Sequence, residues 1–145
     1  MRKQEMTEPP DQSQDGRFSS LNDLERAVLR EIFSQLPEVR AALEAQIGAA
    51  RITERWNSGG GFFVDFKVDR NAAPPAATER VIGHVWAEIE GFEQPMTFLV
   101  FMVDGYVDCL EGASVGDDTT GVDFVGRTFS IVRDHSVYRF GRTRH

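Results

Sequence analysis

The stretch "PMTFLVFMVDGYVDCLEGASV" (Pro95–Val115) constrains the fold more than any other part of the chain. Asp104-Gly105 separates two apolar runs, and both residue types accept the positive φ that a two-residue turn between antiparallel strands demands. Such a turn sets Val103 opposite Tyr106, Phe101 opposite Asp108, Val100 opposite Cys109 and Leu99 opposite Leu110. One face of the hairpin then carries Leu99, Phe101, Val103, Tyr106, Asp108 and Leu110. The other carries Phe98, Val100, Met102, Val107, Cys109 and Glu111. Both faces are largely apolar, as in a strand pair at the centre of a sheet that is covered on both sides. The C-terminal segment or another copy of the chain is the expected second cover.

The rest of the chain supplies a first cover and further strands. Leu21, Leu24, Val28, Ile32, Phe33 and Leu36 form one helical stripe, with Ser20 as its expected cap. Pro37 interrupts it and opens a second helical stretch, "PEVRAALEAQI", whose buried side is Val39, Leu43 and Ile47 and whose stop is Gly48. One kinked helix fits the same pattern. From Arg51 the period becomes two. "RITERWN", "FFVDFKVD" and "ERVIGHVWAEIEGF" read as strands before the hairpin. In the third, Val81, Val85, Ala87 and Ile89 fall on one face, with His84, Trp86, Glu88 and Glu90 on the other. "VDFVGRTFSIVRD" and "SVYRF" are strand candidates after it. The expected fold is α+β, an N-terminal helix or helix pair packed on an antiparallel β-meander of about four to six strands. Residues 1–17 read as a disordered tail, 18–140 as one domain, and 141–145 as a flexible basic tail.

A net charge of -7 over 145 residues disfavours a nucleic-acid partner, whose phosphates such a surface repels. The same charge suits a basic protein partner. The single cysteine, Cys109, forms neither an intramolecular disulfide nor a zinc site by itself, and it points to a reducing cytoplasm. The N-terminal stretch lacks the apolar core of a signal peptide. "FLVFMV", the longest apolar run, is far too short to span a membrane.

Three motifs together carry a family resemblance. Gly61 to Phe66 reads Gly-Phe-Phe-x-x-Phe, and Ile82 to Gly91 reads Ile-Gly-x-Val-x-Ala-x-Ile-x-Gly. Asp104 to Gly112 reads Asp-Gly-x-x-x-x-Leu-Glu-Gly. With the helical lead "LPEVRAALEAQIGAARI", the region from Leu21 to Gly116 resembles a family of small bacterial proteins of uncharacterised function. Related proteins follow Leu-Glu-Gly with an aromatic, a second glycine and an acid, whereas "ASVGDD" lacks the aromatic. The resemblance implies no reaction and no catalytic residue.

Four groups invite a chemical reading. Asp65, His84 and Glu88 fall on the polar face of the second and third strands, with Phe63 and Trp86 between them. Asp108 joins them if the hairpin pairs as drawn. Carboxylates beside a histidine suit a divalent metal or acid-base work. The aromatics Phe63, Trp86, Phe101 and Tyr106 on one face instead suit a partner surface, to which Glu111 belongs by its strand-end position. Cys109 sits among apolar neighbours and reads as packing, not as a nucleophile. Asp104, Asp108, Glu111, Asp117 and Asp118 lack the order of a calcium loop. Gly59-Gly60-Gly61 precedes a strand, not a helix, so it reads as a wide turn or bulge and not as a phosphate loop. The sequence therefore points to a non-enzymatic interaction domain, with a homodimer or a basic protein as partner and no cofactor or metal. The alternative is a ligand-binding protein or enzyme using the His/carboxylate group.

Overall fold

The computed structural model describes residues 20–133. The N-terminal tail, the candidate strand "SVYRF" and the basic tail lie outside the described residues. Two helices, α1 (Asp23–Ser34) and α2 (Arg40–Gly48), precede six strands. These are β1 (Ala50–Asn57), β2 (Gly61–Val68), β3 (Val81–Ile89), β4 (Met96–Val103), β5 (Tyr106–Ala113) and β6 (Phe129–Val132). All pairings are antiparallel, in the order β1-β2-β5-β4-β3-β6. The α+β architecture of helices on an antiparallel sheet is as expected. The β1–β2 hairpin joins the β3–β4–β5 meander through the β2–β5 pair, which leaves the β4–β5 hairpin at the centre.

Helix α1 begins where its apolar stripe acquires a cap. The cap is Asn22, not Ser20. Asn22 Oδ1 accepts from the Glu25 amide at 2.9 Å, and Glu25 Oε1 accepts from the Asn22 amide at 3.0 Å. This reciprocal pair satisfies two donors that the first helical turn leaves open. The stripe Leu24, Val28, Leu29, Ile32 and Phe33 is buried against the sheet. Pro37 to Val39 form a turn, so α2 starts at Arg40 and not at Pro37. Leu43 and Gln46 are its buried residues, while Val39 and Ile47 are partly buried.

The inner sheet face, beneath the helices, carries Phe62, Val64, Phe66, Ile82, Val85, Phe98, Val100 and Leu110. Gly112 faces Phe98. A Cβ there would lie 2.6 Å from the Phe98 ring, so only glycine lets that ring lie flat on β5. Asp104 and Gly105 take φ of 55° and 84° and close the tight hairpin.

Two bulges correct the expected faces. In the hairpin Val103 does pair with Tyr106, but Phe101 then pairs with Cys109 and Val100 with Leu110. Asp108 is the extra residue. A one-residue slip turns every following side chain to the opposite face. Cys109 and Glu111 therefore share a face with Phe101 and Leu99, while Leu110 turns inward. In β3 the register shifts between Gly83 and Val85. Ile82 is consequently buried, and Val81, expected inside, is exposed. Of the stretch "VDFVGRTFSIVRD" only Phe129–Val132 forms a strand. Phe124, ahead of it, packs on Phe62 and Phe92 with ring centroids 4.7 and 5.7 Å apart.

Candidate functional site: the outer sheet face

The sheet face turned away from the helices can be read row by row from the pairing. One row runs Trp56, Phe63, Glu111, Leu99 and Gly83 across β1, β2, β5, β4 and β3. The next runs Glu54, Asp65, Cys109, Phe101 and Val81. Trp56 stacks on Phe63 with centroids 5.1 Å apart and an interplanar angle of 20°. Trp56 is 53% exposed, Val81 45% and Val103 46%. Phe63, Leu99 and Phe101 are half-buried. No helix or strand among the described residues covers this face.

Cys109 lies within this face as a floor. Its side chain is small and 8% exposed, and larger neighbours surround it. Burial pushes its thiol well above the usual range. A hydrogen bond to Asp65 and the negative charge of Asp65 and Asp108 push the same way, against a backbone hydrogen bond at Val64. The thiol thus stays protonated and is a poor nucleophile.

The polar residues expected to converge do not. Strands β5 and β4 intervene between β2 and β3, which places Asp65 about 14 Å from β3 at ordinary strand spacing. Glu88 is four residues along β3 from His84, faces Ser130 of β6 and is exposed. His84 sits in the β3 bulge with an exposed side chain, and its carbonyl accepts from Gln35 Nε2 at 3.1 Å. No group of three or more His, Cys, Asp or Glu able to hold a metal ion occurs among the described residues. Trp86 is half-buried opposite Thr97 and Val132. Tyr106 is buried, which removes it from the expected aromatic patch. Its hydroxyl donates to the Ala73 carbonyl at 3.2 Å, and the Arg70 guanidinium caps its ring at 4.4 Å.

The acidic cluster is dispersed too. Asp104 pairs with Arg70 at 3.6 Å. Asp117 accepts from the amides of Glu93 and Gln94 at 3.3 and 3.1 Å. Asp118 accepts from the Thr120 amide at 2.9 Å, a bond that together with the Thr120 side chain holds its carboxyl below the usual range. The triple glycine closes the β1–β2 turn, onto which the 114–121 loop folds. Buried Thr119 bonds there to Gly59, Gly61 and Asn57.

Two features escaped the sequence. Phe63 was expected on this face, but Trp56, in the strand "RITERWN", was not, because its stacking on Phe63 depends on the β1–β2 register. Gln46 left no signal. It is wholly buried, its Oε1 accepts from the Val107 amide at 2.9 Å, and its Nε2 donates to Pro74 and Gly105 carbonyls at 2.8 and 2.9 Å. It satisfies the end of β5 where β2–β5 pairing stops at Asp65–Cys109. A cleft of about 830 Å³ opens there, with Lys67, Arg70, Tyr106 and Asp108 on its walls.

Compared with known proteins, the chain matches no family model, no curated protein and no solved structure, so its role is argued from its own geometry. No helix among the described residues is long and apolar enough to cross a membrane.

Proposed function

We propose that this chain is a non-enzymatic protein-interaction domain whose contact surface is the outer sheet face. The carrying observation is that Trp56, Phe63, Leu99, Phe101, Val81 and Val103 share this face with no covering helix or strand among the described residues. Exposed aromatic and aliphatic side chains grouped on one face cost solvation free energy in water and are characteristic of partner surfaces. The net charge of -7 favours a basic partner over another acidic surface. A reduced lone thiol, Cys109, suits a cytoplasmic setting, and membership of the small bacterial family belongs to the same proposal.

In-cell photo-cross-linking tests it. A photo-activatable residue at Trp56 or Val103 of the full chain is expected to yield discrete protein adducts. The same residue at Arg30, on the exposed side of α1, is expected to yield none. Equal labelling from all three positions would sink the reading.

A further inference from the structure

The outer face is apolar, but its centre is not. Asp65 pairs with Cys109, and Phe63 pairs with Glu111. The two acidic residues are therefore diagonal neighbours across β2 and β5, with Cα atoms about 7–8 Å apart and side chains within reach of one long cationic side chain. Between them lies Cys109, the low point of the face. Phe63 forms one wall, and Leu99 and Phe101, the β4 neighbours of Glu111 and Cys109, form the other.

Resting on the interaction reading, we infer that the partner is a basic protein that seats an arginine, flanked by apolar residues, over Cys109 between Asp65 and Glu111. Glu111 is half-buried among apolar side chains and has no cationic partner among the described residues. A partly desolvated carboxylate without a counter-ion gains from a cation brought to it. Arg51 and Lys67, on the same face, lie one row beyond Asp65 and form no ion pair with it. The Cys109 thiol donates to the Leu110 carbonyl at 3.6 Å, and the Asp65 carboxylate beside it keeps lone pairs for a further donor. A guanidinium suits this place better than an ammonium, because its planar fork serves two carboxylates while its face lies on the Phe63 ring. The surrounding apolar rows call for aliphatic flanks and so for a polypeptide, not a free cation. A second copy of this acidic chain would bring like charges together across the same face.

The test uses the full-length, isotope-labelled chain and capped peptides of sequence Gly-Ser-Val-Arg-Val-Ser-Gly, with lysine or citrulline replacing arginine in two controls. Saturable amide shifts at Phe63, Cys109 and Glu111 are expected with the arginine peptide. Citrulline, which keeps the shape but loses the charge, is expected to bind at least about tenfold more weakly, the worth of one charge-assisted hydrogen bond. Lysine is expected to fall between the two. Glu111→Gln is expected to weaken the arginine peptide by a similar factor and leave the rest of the spectrum in place. Equal binding of the citrulline peptide, no saturable binding of any peptide, or unchanged affinity in Glu111→Gln overturns the inference. Shifts at these amides that grow with protein concentration alone mark a second copy and overturn it too. The cross-links from Trp56 and Val103 decide the interaction reading separately.

Discussion

Phe98 and Phe101 sit three residues apart on one strand and meet opposite conditions. Phe98 is wholly buried between the helices and Gly112, whereas Phe101 is half-exposed beside Cys109. Strand β4 supplies both faces with side chains of similar apolarity, Met96, Phe98 and Val100 inward and Leu99, Phe101 and Val103 outward. The inner face has a cover encoded in the same chain, namely the stripes of α1 and α2. The outer face is matched by none of the described elements. Apolarity on a strand therefore measures how much cover a face can accept, and the cover itself must be found elsewhere.

Substitutions on the two faces should separate these roles. Phe98→Ala on the inner face is expected to cost about 3–5 kcal/mol, read by chemical denaturation, because it removes a ring and leaves a cavity. A loss below about 1 kcal/mol would mean that the inner face is not the core. Arg55→Met probes the join between the helix layer and edge strand β1. Arg55 Nη2 donates to Glu25 Oε1 at 2.9 Å and to the Ser20 carbonyl at 2.8 Å, while Nη1 engages Glu25 Oε2. Glu25 is 1% exposed, so removing its cation strands a buried carboxylate. The expected loss is about 2–3 kcal/mol, below the fully buried case because Arg55 itself is partly solvated.

On the outer face, Trp56→Ala is expected to lower stability by no more than about 1 kcal/mol, the worth of its stacking on Phe63. It should nevertheless weaken capture of any partner cross-linked from Val103. Comparable stability losses for Trp56→Ala and Phe98→Ala would erase the distinction between the faces. The smallest effect concerns pH. The folded state raises the Cys109 pKa above its ordinary 9.0, so the native thiol holds its proton where the unfolded one releases it. That contribution to stability is complete below about pH 9 and declines as pH rises further. The melting temperature between pH 8 and 10.5 should therefore fall more steeply for the wild type than for Cys109→Ala. Parallel curves would show that the thiol is not held in a buried setting.

Local patterns were legible because their causes are local. A 3.6-residue stripe produced α1, and Asp104-Gly105 produced the hairpin with Val103 facing Tyr106. The expectation failed three residues into the return strand, where Asp108 bulges. Nothing in "YVDCLEG" by itself marks that residue as unpaired. Cross-strand contacts mark it, since Leu110 is buried on the helix side only if the register slips there. The Gly83–His84 bulge is of the same kind. It sends Ile82 inward, exposes Val81 and ties the His84 carbonyl to Gln35 at the end of α1. The expected meeting of Asp65 with His84 depended on β2 lying beside β3, and strand order is a non-local property.

The sequence by itself determined the element types, the central hairpin and the surplus of apolar surface, because periodicity and turn chemistry act over a few residues. The tertiary structure alone decided which side chains share a face. Inserting β5 and β4 between β2 and β3, and slipping one residue at each bulge, separated His84 from the carboxylates. The same two events brought Cys109 and Glu111 up beside Phe63 and Asp65. A strand alternates with period two, so a single unpaired residue reverses every side chain beyond it, and only the packed sheet can say where that residue falls.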